Sequence, residues 1–236
     1  MIKFIREITL NSVLSFTLNF MLVILVPYLI YINQYLFAVS ALIAAILSFI
    51  PAILKRNYNI NMNWKISFLI TLALYLHTVG LSFRLYNNVF YYDIIMHILG
   101  SIVIALLGFI IVYTMHFTKK VRLSIPLIGL FTIIFAIAVG ALWEIGEFAI
   151  DQFFGMHAQP SNFDTMTDLI YDTIAGISTA IAAMFYVNNT TETKLSELIH
   201  PFDMLLSIKD KERFEGLKKK GNQIYSENNT SEDNKQ

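Results

Sequence analysis

Between Gly140 and Gly176 the chain places six carboxylates in sequence that is otherwise strongly apolar: Glu144, Glu147 and Asp151 within GALWEIGEFAID, and Asp164, Asp168 and Asp172 within DTMTDLIYDTIAG. On helices the first three fall at i, i+3 and i+7 and the second three at i, i+4 and i+8, so each trio forms a stripe along one face. A seventh acid, Asp93, lies four residues before His97 in YYDIIMHILG, and that spacing turns both side chains toward one neighbour. Gly100 is expected to continue that face one turn deeper, where a small residue permits close helix approach.

Ionised carboxylates in a low-dielectric setting must be neutralised. Three agents can do it: protons held on some of the acids, a bound cation, or a cationic ligand. A divalent ion such as zinc, manganese or magnesium suits mixed imidazole and carboxylate donors. The expected ligand set is His97 with Glu144, Glu147, Asp168 and Asp172, and Asp93 is expected to orient the imidazole from behind. Such an ion would polarise a phosphoryl or carbonyl oxygen. Without it, Asp93, His97, Glu144, Glu147, Asp164, Asp168 and Asp172 could share protons as acids and bases. Each also has a plainer reading. Asp164 and Asp93 fit helix caps, Asp168 a first-turn acid favoured by the helix dipole, Asp151 an exposed end-of-helix residue, and Glu144, Glu147 and Asp172 a structural hydrogen-bond network. His77 fits a packing donor, and His116, His157 and His200 carry no signal.

The elements that must position these groups are membrane helices. Of 236 residues 56% are hydrophobic and 14% charged, which is the composition of an integral membrane protein. Runs long enough to cross a bilayer occur at about 9–32, 36–54, 65–82, 93–115, 124–150 and 166–187. The fold class expected is therefore all-α, a polytopic bundle of about six transmembrane helices over residues 1–187. An amphipathic cytoplasmic helical segment at 188–220 and a disordered tail at 221–236 follow. With six crossings Arg84 alone of the 17 basic residues lies on the far side, so both termini are read as cytoplasmic and the loop from Gln152 to Phe163 as external. The first run lacks a cleavage signature and is expected to remain as an anchor. Pro27 should kink or end it, Pro126 opens the fifth span, and the few uncharged residues around Asn33 join spans one and two as a hairpin. Phe202, Leu205, Leu206, Phe214 and Leu217 alternate with charges and suggest a helix at the inner interface. Zero cysteines exclude disulfides and thiolate sites. Membrane lipids are the expected partners and nucleic acid is not; the sequence leaves oligomeric state open.

The acidic stripes then sit on the external side and descend into the bilayer. At 1.5 Å per residue Glu144 lies about 10 Å below Asp151, Asp172 about 12 Å below Asp164, and His97 about 6 Å below Asp93. LHTVG, YYDIIMHILG, ALWEIGEFAID and DTMTDLIYDTIAG together resemble the YjdF-type family of multi-pass membrane proteins, itself similar to the VanZ-like group. The resemblance spans roughly residues 75–180. It implies a plasma-membrane protein of six or so helices in which Asp93, His97, Glu144, Glu147, Asp164 and Asp168 hold the family's polar positions, and it implies no particular reaction. Glu147 and Asp172 depart from the VanZ-like pattern, which has glutamine and asparagine there. Three functions fit these residues: a metal-assisted enzyme on lipid-linked or envelope substrates, a proton- or cation-coupled transporter, and a nonenzymatic scaffold. Sparse polar lining in spans one to three favours the enzyme.

Overall fold

A computed structural model describes residues 2–58, 60, 62–118, 120–205 and 207. Eight helices are formed: α1 Ile2–Tyr31, α2 Tyr35–Ser48, α3 Ile50–Tyr58, α4 Trp64–Ser82, α5 Leu85–Asn88, α6 Tyr92–Phe117, α7 Ile125–Phe154 and α8 Asn162–Asn189. Six segments are long and apolar enough to cross a membrane, Val13–Tyr31, Tyr35–Asn57, Trp64–Ser82, Tyr92–Phe117, Ile125–Phe154 and Asn162–Asn189, which matches the all-α polytopic expectation. No strand occurs among the described residues. Only helices satisfy every backbone group internally in hydrocarbon without closing a barrel.

Local chemistry sets the ends. Pro27 lies inside α1, which continues a further turn to Tyr31, so the proline does not end the helix. Asn33 closes α1 in the left-handed region at φ 60°. The Gln34 amide donates to the Leu29 carbonyl at 2.8 Å and the Asn33 amide to that of Ile30 at 3.0 Å, a Schellman cap that turns α2 back as the expected hairpin. The second crossing, read from sequence as one run, breaks at Phe49 into α2 and α3. Pro51 accounts for the break: it lacks the amide that would reach Leu47, and its ring crowds that carbonyl. Pro126 sits in the first turn of α7 as expected. Ser161, accepting from the Asp164 amide at 3.2 Å, is the N-cap of α8, so Asp164 is a first-turn acid and not the cap itself. The loop between α7 and α8 is accordingly short, 155–161.

Helices α1, α2 and α4 pack as one trio, α6, α7 and α8 as another, and α4 against α6 joins them. Within the second trio small residues bring the backbones together; Gly176 lies against the Ala136 methyl and the Ile133 backbone. Outward faces are large and apolar, with Leu142, Ile134 and Phe185 more than half exposed, as lipid-facing residues should be. Residues 192–205 are helical and dock on the bundle end opposite the acidic stripes. There Leu195 and Ile199 are buried with Phe109, Ile110, Tyr113 and Ile128, and Phe202 packs beside them. Each such side chain contributes about 1.5–3 kcal/mol relative to exposure. The anchors of this segment are therefore partly different from the apolar set read from the sequence. Leu206, Phe214, Leu217 and the tail at 221–236 lie outside the described residues.

Candidate functional site

The antiparallel run of α6, α7 and α8 brings the first turns of α6, the last third of α7 and the first turns of α8 to one end of the bundle. His97 is the centre. Its Nε2 has Asp93 Oδ1 at 3.8 Å, Glu144 Oε1 at 3.8 Å and Asp168 Oδ2 at 4.0 Å, and its Nδ1 has Asp172 Oδ1 at 3.3 Å. Glu144, Asp168 and Asp172 are at most 4% exposed. Asp93 is more open and forms the mouth of the cluster.

The two sides of the imidazole differ. On the Nδ1 side Asp172 accepts from the Ser101 hydroxyl at 2.6 Å and faces the ring nitrogen, which fixes the ring and leaves Nε2 directed at the other acids. On the Nε2 side the three oxygens are too far away for hydrogen bonds. All three nevertheless face the same nitrogen. A tetrahedral ion at 2.0–2.2 Å from such donors makes ligand-to-ligand edges of about 3.4 Å, about half an ångström shorter than the spacings from Nε2 to the three oxygens. One donor atom each from Asp93, His97 and Asp168 lies within 4.8 Å of the others, a grouping able to hold a metal ion. Glu144 Oε1 and Asp168 Oδ2, the same oxygens turned toward Nε2, are buried and have no hydrogen-bond donor. Arg84 makes no ion pair with these acids; it is exposed in the turn between α4 and α5, opening α5 at φ 55°.

The position of Asp172 depends on Gly140. A Cβ there would run into Asp172 Oδ2, with the Asp172 Cγ 3.0 Å and Cβ 3.3 Å away, so only glycine lets α7 approach α8 at this level. Gly100, by contrast, has nothing within 4 Å of its would-be Cβ. The face of Asp93 and His97 continues through Ser101, because the next step of four from 97 is 101.

Residues 13–189, which include every residue of the cluster, match the family described as predicted membrane protein, DUF2238. The chain belongs to this family. A protein of Thermotoga maritima described as uncharacterized is 30% identical over 128 residues, covering 52% of this chain and 64% of the relative, so the chain spans less than two thirds of that relative's length. No solved structure matches.

Other acids of the DUF2238 chain are placed elsewhere. Glu147 accepts from Trp143 Nε1 at 2.9 Å, one turn away on the same helix, and is not among the groups touching His97. Asp151 accepts from the Ala158 and Gln159 amides at 2.7 and 2.9 Å and so folds the loop between α7 and α8. That brings Gln159 Nε2 to 3.5 Å from Glu144 Oε2. Asp164 stands in the turn above Asp168, half-buried. The expected ligand set had Asp172 on the metal and Asp93 behind the ring; the structure puts Asp93 on the Nε2 side and Asp172 on the Nδ1 side.

His77 belongs to an adjoining network at the seam of the two trios. Its Nδ1 is 2.7 Å from the Tyr86 hydroxyl, its ring stands edge-on to Trp143 at 5.1 Å, and the Tyr92 hydroxyl donates to the Leu76 carbonyl at 2.6 Å. Burial raises the pKa of Tyr86, and the charge of Asp93 adds to the shift. A largely apolar cavity of about 310 Å³ opens between α7 and α8, lined by Ala141, Glu144, Ile145, Phe148, Gln159, Thr165 and Leu169.

Ser101, Gln159 and Thr165 were not singled out from the sequence. Only Ser101 carried a usable signal, its four-residue step beyond His97. Gln159 and Thr165 acquire their places from the loop that Asp151 folds and from the docking of α8.

Proposed function

We propose that Asp93, His97, Glu144 and Asp168 bind one divalent cation, and that the protein is a metal-assisted membrane enzyme acting on lipid-linked or cell-envelope substrates from the external leaflet. The observation that supports this most is the convergence of two buried, donorless carboxylate oxygens, Glu144 Oε1 and Asp168 Oδ2, on the same nitrogen of His97. A buried carboxylate oxygen without a partner is costly, and a dication satisfies both at once. One imidazole with three carboxylates and no thiolate suits zinc, manganese or magnesium. When bound, such an ion supplies Lewis acidity toward a phosphoryl or carbonyl oxygen.

The chain's own groups divide the remaining work. Asp172, held by Ser101, keeps His97 in register. Asp93, the most exposed acid of the cluster, marks the side from which a substrate would approach. Glu147, Asp164 and the His77 network form the outer surround. The external orientation rests on the basic-residue asymmetry, and the YjdF-type and VanZ-like resemblance rests on the motifs around these acids. Against a transporter stands the packing below Asp172, where Ala105, Phe109, Ala136 and Ala180 are buried and the Thr132 hydroxyl is satisfied within its own helix. That packing favours the enzyme reading.

The test is metal analysis of purified protein before and after chelation, with melting curves on adding zinc, manganese, magnesium or calcium. One ion per chain is expected. At a hundredfold excess over Kd it stabilises by about 2.7 kcal/mol, and His97→Ala and Glu144→Gln abolish the gain. Metal-free protein whose melting ignores all four ions, with both variants behaving as wild type, refutes the metal and leaves a proton-sharing network.

A further inference from the structure

The first turn of α6 carries Asp93, and its own sequence does little to hold that turn in place. The N-cap residue, Tyr91, makes no side-chain cap bond, and Phe90 and Tyr91, which lead into the helix, are exposed. An uncapped helix end frays unless packing fixes it. Here the packing comes from α4. The Tyr92 hydroxyl donates to the Leu76 carbonyl at 2.6 Å, and the Tyr86 hydroxyl, on α5, lies 2.7 Å from His77 Nδ1. The two phenol rings meet edge to face at 5.1 Å. Both rest on Gly80, which shares one face of α4 with Leu76 and His77. Gly80 is buried, and a Cβ there would stand 2.5 Å from Tyr92 Cε1 and 2.6 Å from Tyr86 Cε2, so no larger residue leaves both rings where they are.

We propose that Tyr92 and Tyr86, seated on Gly80, are positioning residues that fix Asp93 beside His97, and that this seat is what the first helix trio contributes to the site. Tyr92 precedes Asp93 in the chain, so a hydroxyl anchored to the backbone of α4 sets where the Asp93 backbone stands. Asp93 needs such an anchor more than the other acids around His97. Glu144, Asp168 and Asp172 lie inside α7 and α8 and are buried, whereas Asp93 lies at a helix end with its side chain 30% exposed. His77 carries the same anchor across to α7, because its ring stands edge-on, at 5.1 Å, to Trp143, the residue before Glu144. The inference rests on the metal-assisted reading for its affinity measurement, while the hold on the first turn of α6 is measured without metal.

Tyr92→Phe keeps the ring and removes only the hydroxyl. The Leu76 carbonyl keeps its acceptor role within α4, so the variant folds. In EDTA, hydrogen exchange read by mass spectrometry should show the amides of residues 95–98 exchanging about fivefold faster in Tyr92→Phe, the worth of one hydrogen bond. Those of residues 166–172 in α8 should keep wild-type rates. Zinc or manganese affinity, measured by chelator competition, should fall about tenfold in Tyr92→Phe and in Gly80→Ala. If Gly80→Ala does not fold, Tyr92→Phe decides alone. A double-mutant cycle separates positioning from mere loss of stability: on an Asp93→Asn background Tyr92→Phe should have no further effect on affinity, because it acts through Asp93. Wild-type exchange at residues 95–98, unchanged metal affinity, or the same tenfold loss on the Asp93→Asn background each overturns the proposal. Protein that binds no metal refutes the metal reading alone, and the exchange rates then decide the role of the tyrosines.

Discussion

Replacing Gly140 with alanine tests whether Asp172 is held where the cluster needs it. The added methyl would overlap Asp172 Oδ2, and the Cγ and Cβ behind it stand 3.0 and 3.3 Å away, so turning the carboxylate is not enough and the whole side chain must move. Moving it stretches the 2.6 Å bond from Ser101 and the 3.3 Å contact with His97. Overpacking costs about 1–3 kcal/mol, and weakening a hydrogen bond to a charged group about 1.5–3 kcal/mol. Alanine returns about 1 kcal/mol of helix propensity, which leaves a net loss of about 1.5–5 kcal/mol. At about 2–4 °C per kcal/mol for a chain of this size, Tm falls by roughly 3–20 °C. Gly146 is the internal control: it lies on the same helix and has nothing within 4 Å of its would-be Cβ, so Gly146→Ala should be neutral or slightly stabilising. Melting curves of both variants in EDTA separate this effect from any metal. In an Asp172→Ala background, which empties the space, Gly140→Ala should lose its penalty. If Gly140→Ala melts at or above Gly146→Ala, the account of Asp172 pinned between α6 and α7 is wrong.

Ser101→Ala leaves α6 intact but removes the donor to Asp172, and should weaken zinc or manganese affinity about 10–100-fold; chelator competition measures it, and an unchanged affinity removes Ser101 from the site. Burial holds the pKa of Tyr86 above that of a free phenol, so the folded chain keeps that proton where the unfolded chain loses it. Its contribution is complete below the unfolded value near 10 and declines as pH rises beyond it; Tyr86→Phe should flatten the stability profile above that pH, and an identical slope counts against the assignment. For topology, single cysteines at Ser161 and Ser226 are probed in intact cells with an impermeant thiol reagent, and labelling of Ser161 alone is expected. The reverse pattern overturns the orientation.

Local properties of the chain made most of the fold legible. Hydropathy over about twenty residues located six crossings because burying backbone in lipid is a requirement of each segment by itself. The spacing of acids at three, four, seven and eight located two stripes, and the four-residue step from Asp93 located the histidine that meets them. The periodicity could not say which oxygens meet. Glu147 is three residues from Glu144 and so about 60° around the helix, enough to turn it to Trp143. Asp151 shares the azimuth of Glu144 but lies nearly two turns beyond it, where it folds a loop. Asp93 and Asp172 lie on opposite sides of the imidazole from those expected because the packing of α6 against α8 decides which ring nitrogen each acid faces. The sequence by itself determined that carboxylates and a histidine would be buried together at one end of a membrane bundle, since nothing else in lipid would accept them. Only the packing of three helices decided that four of those acids surround His97 and that Ser101 stands behind it, because these depend on distances between residues far apart in the chain.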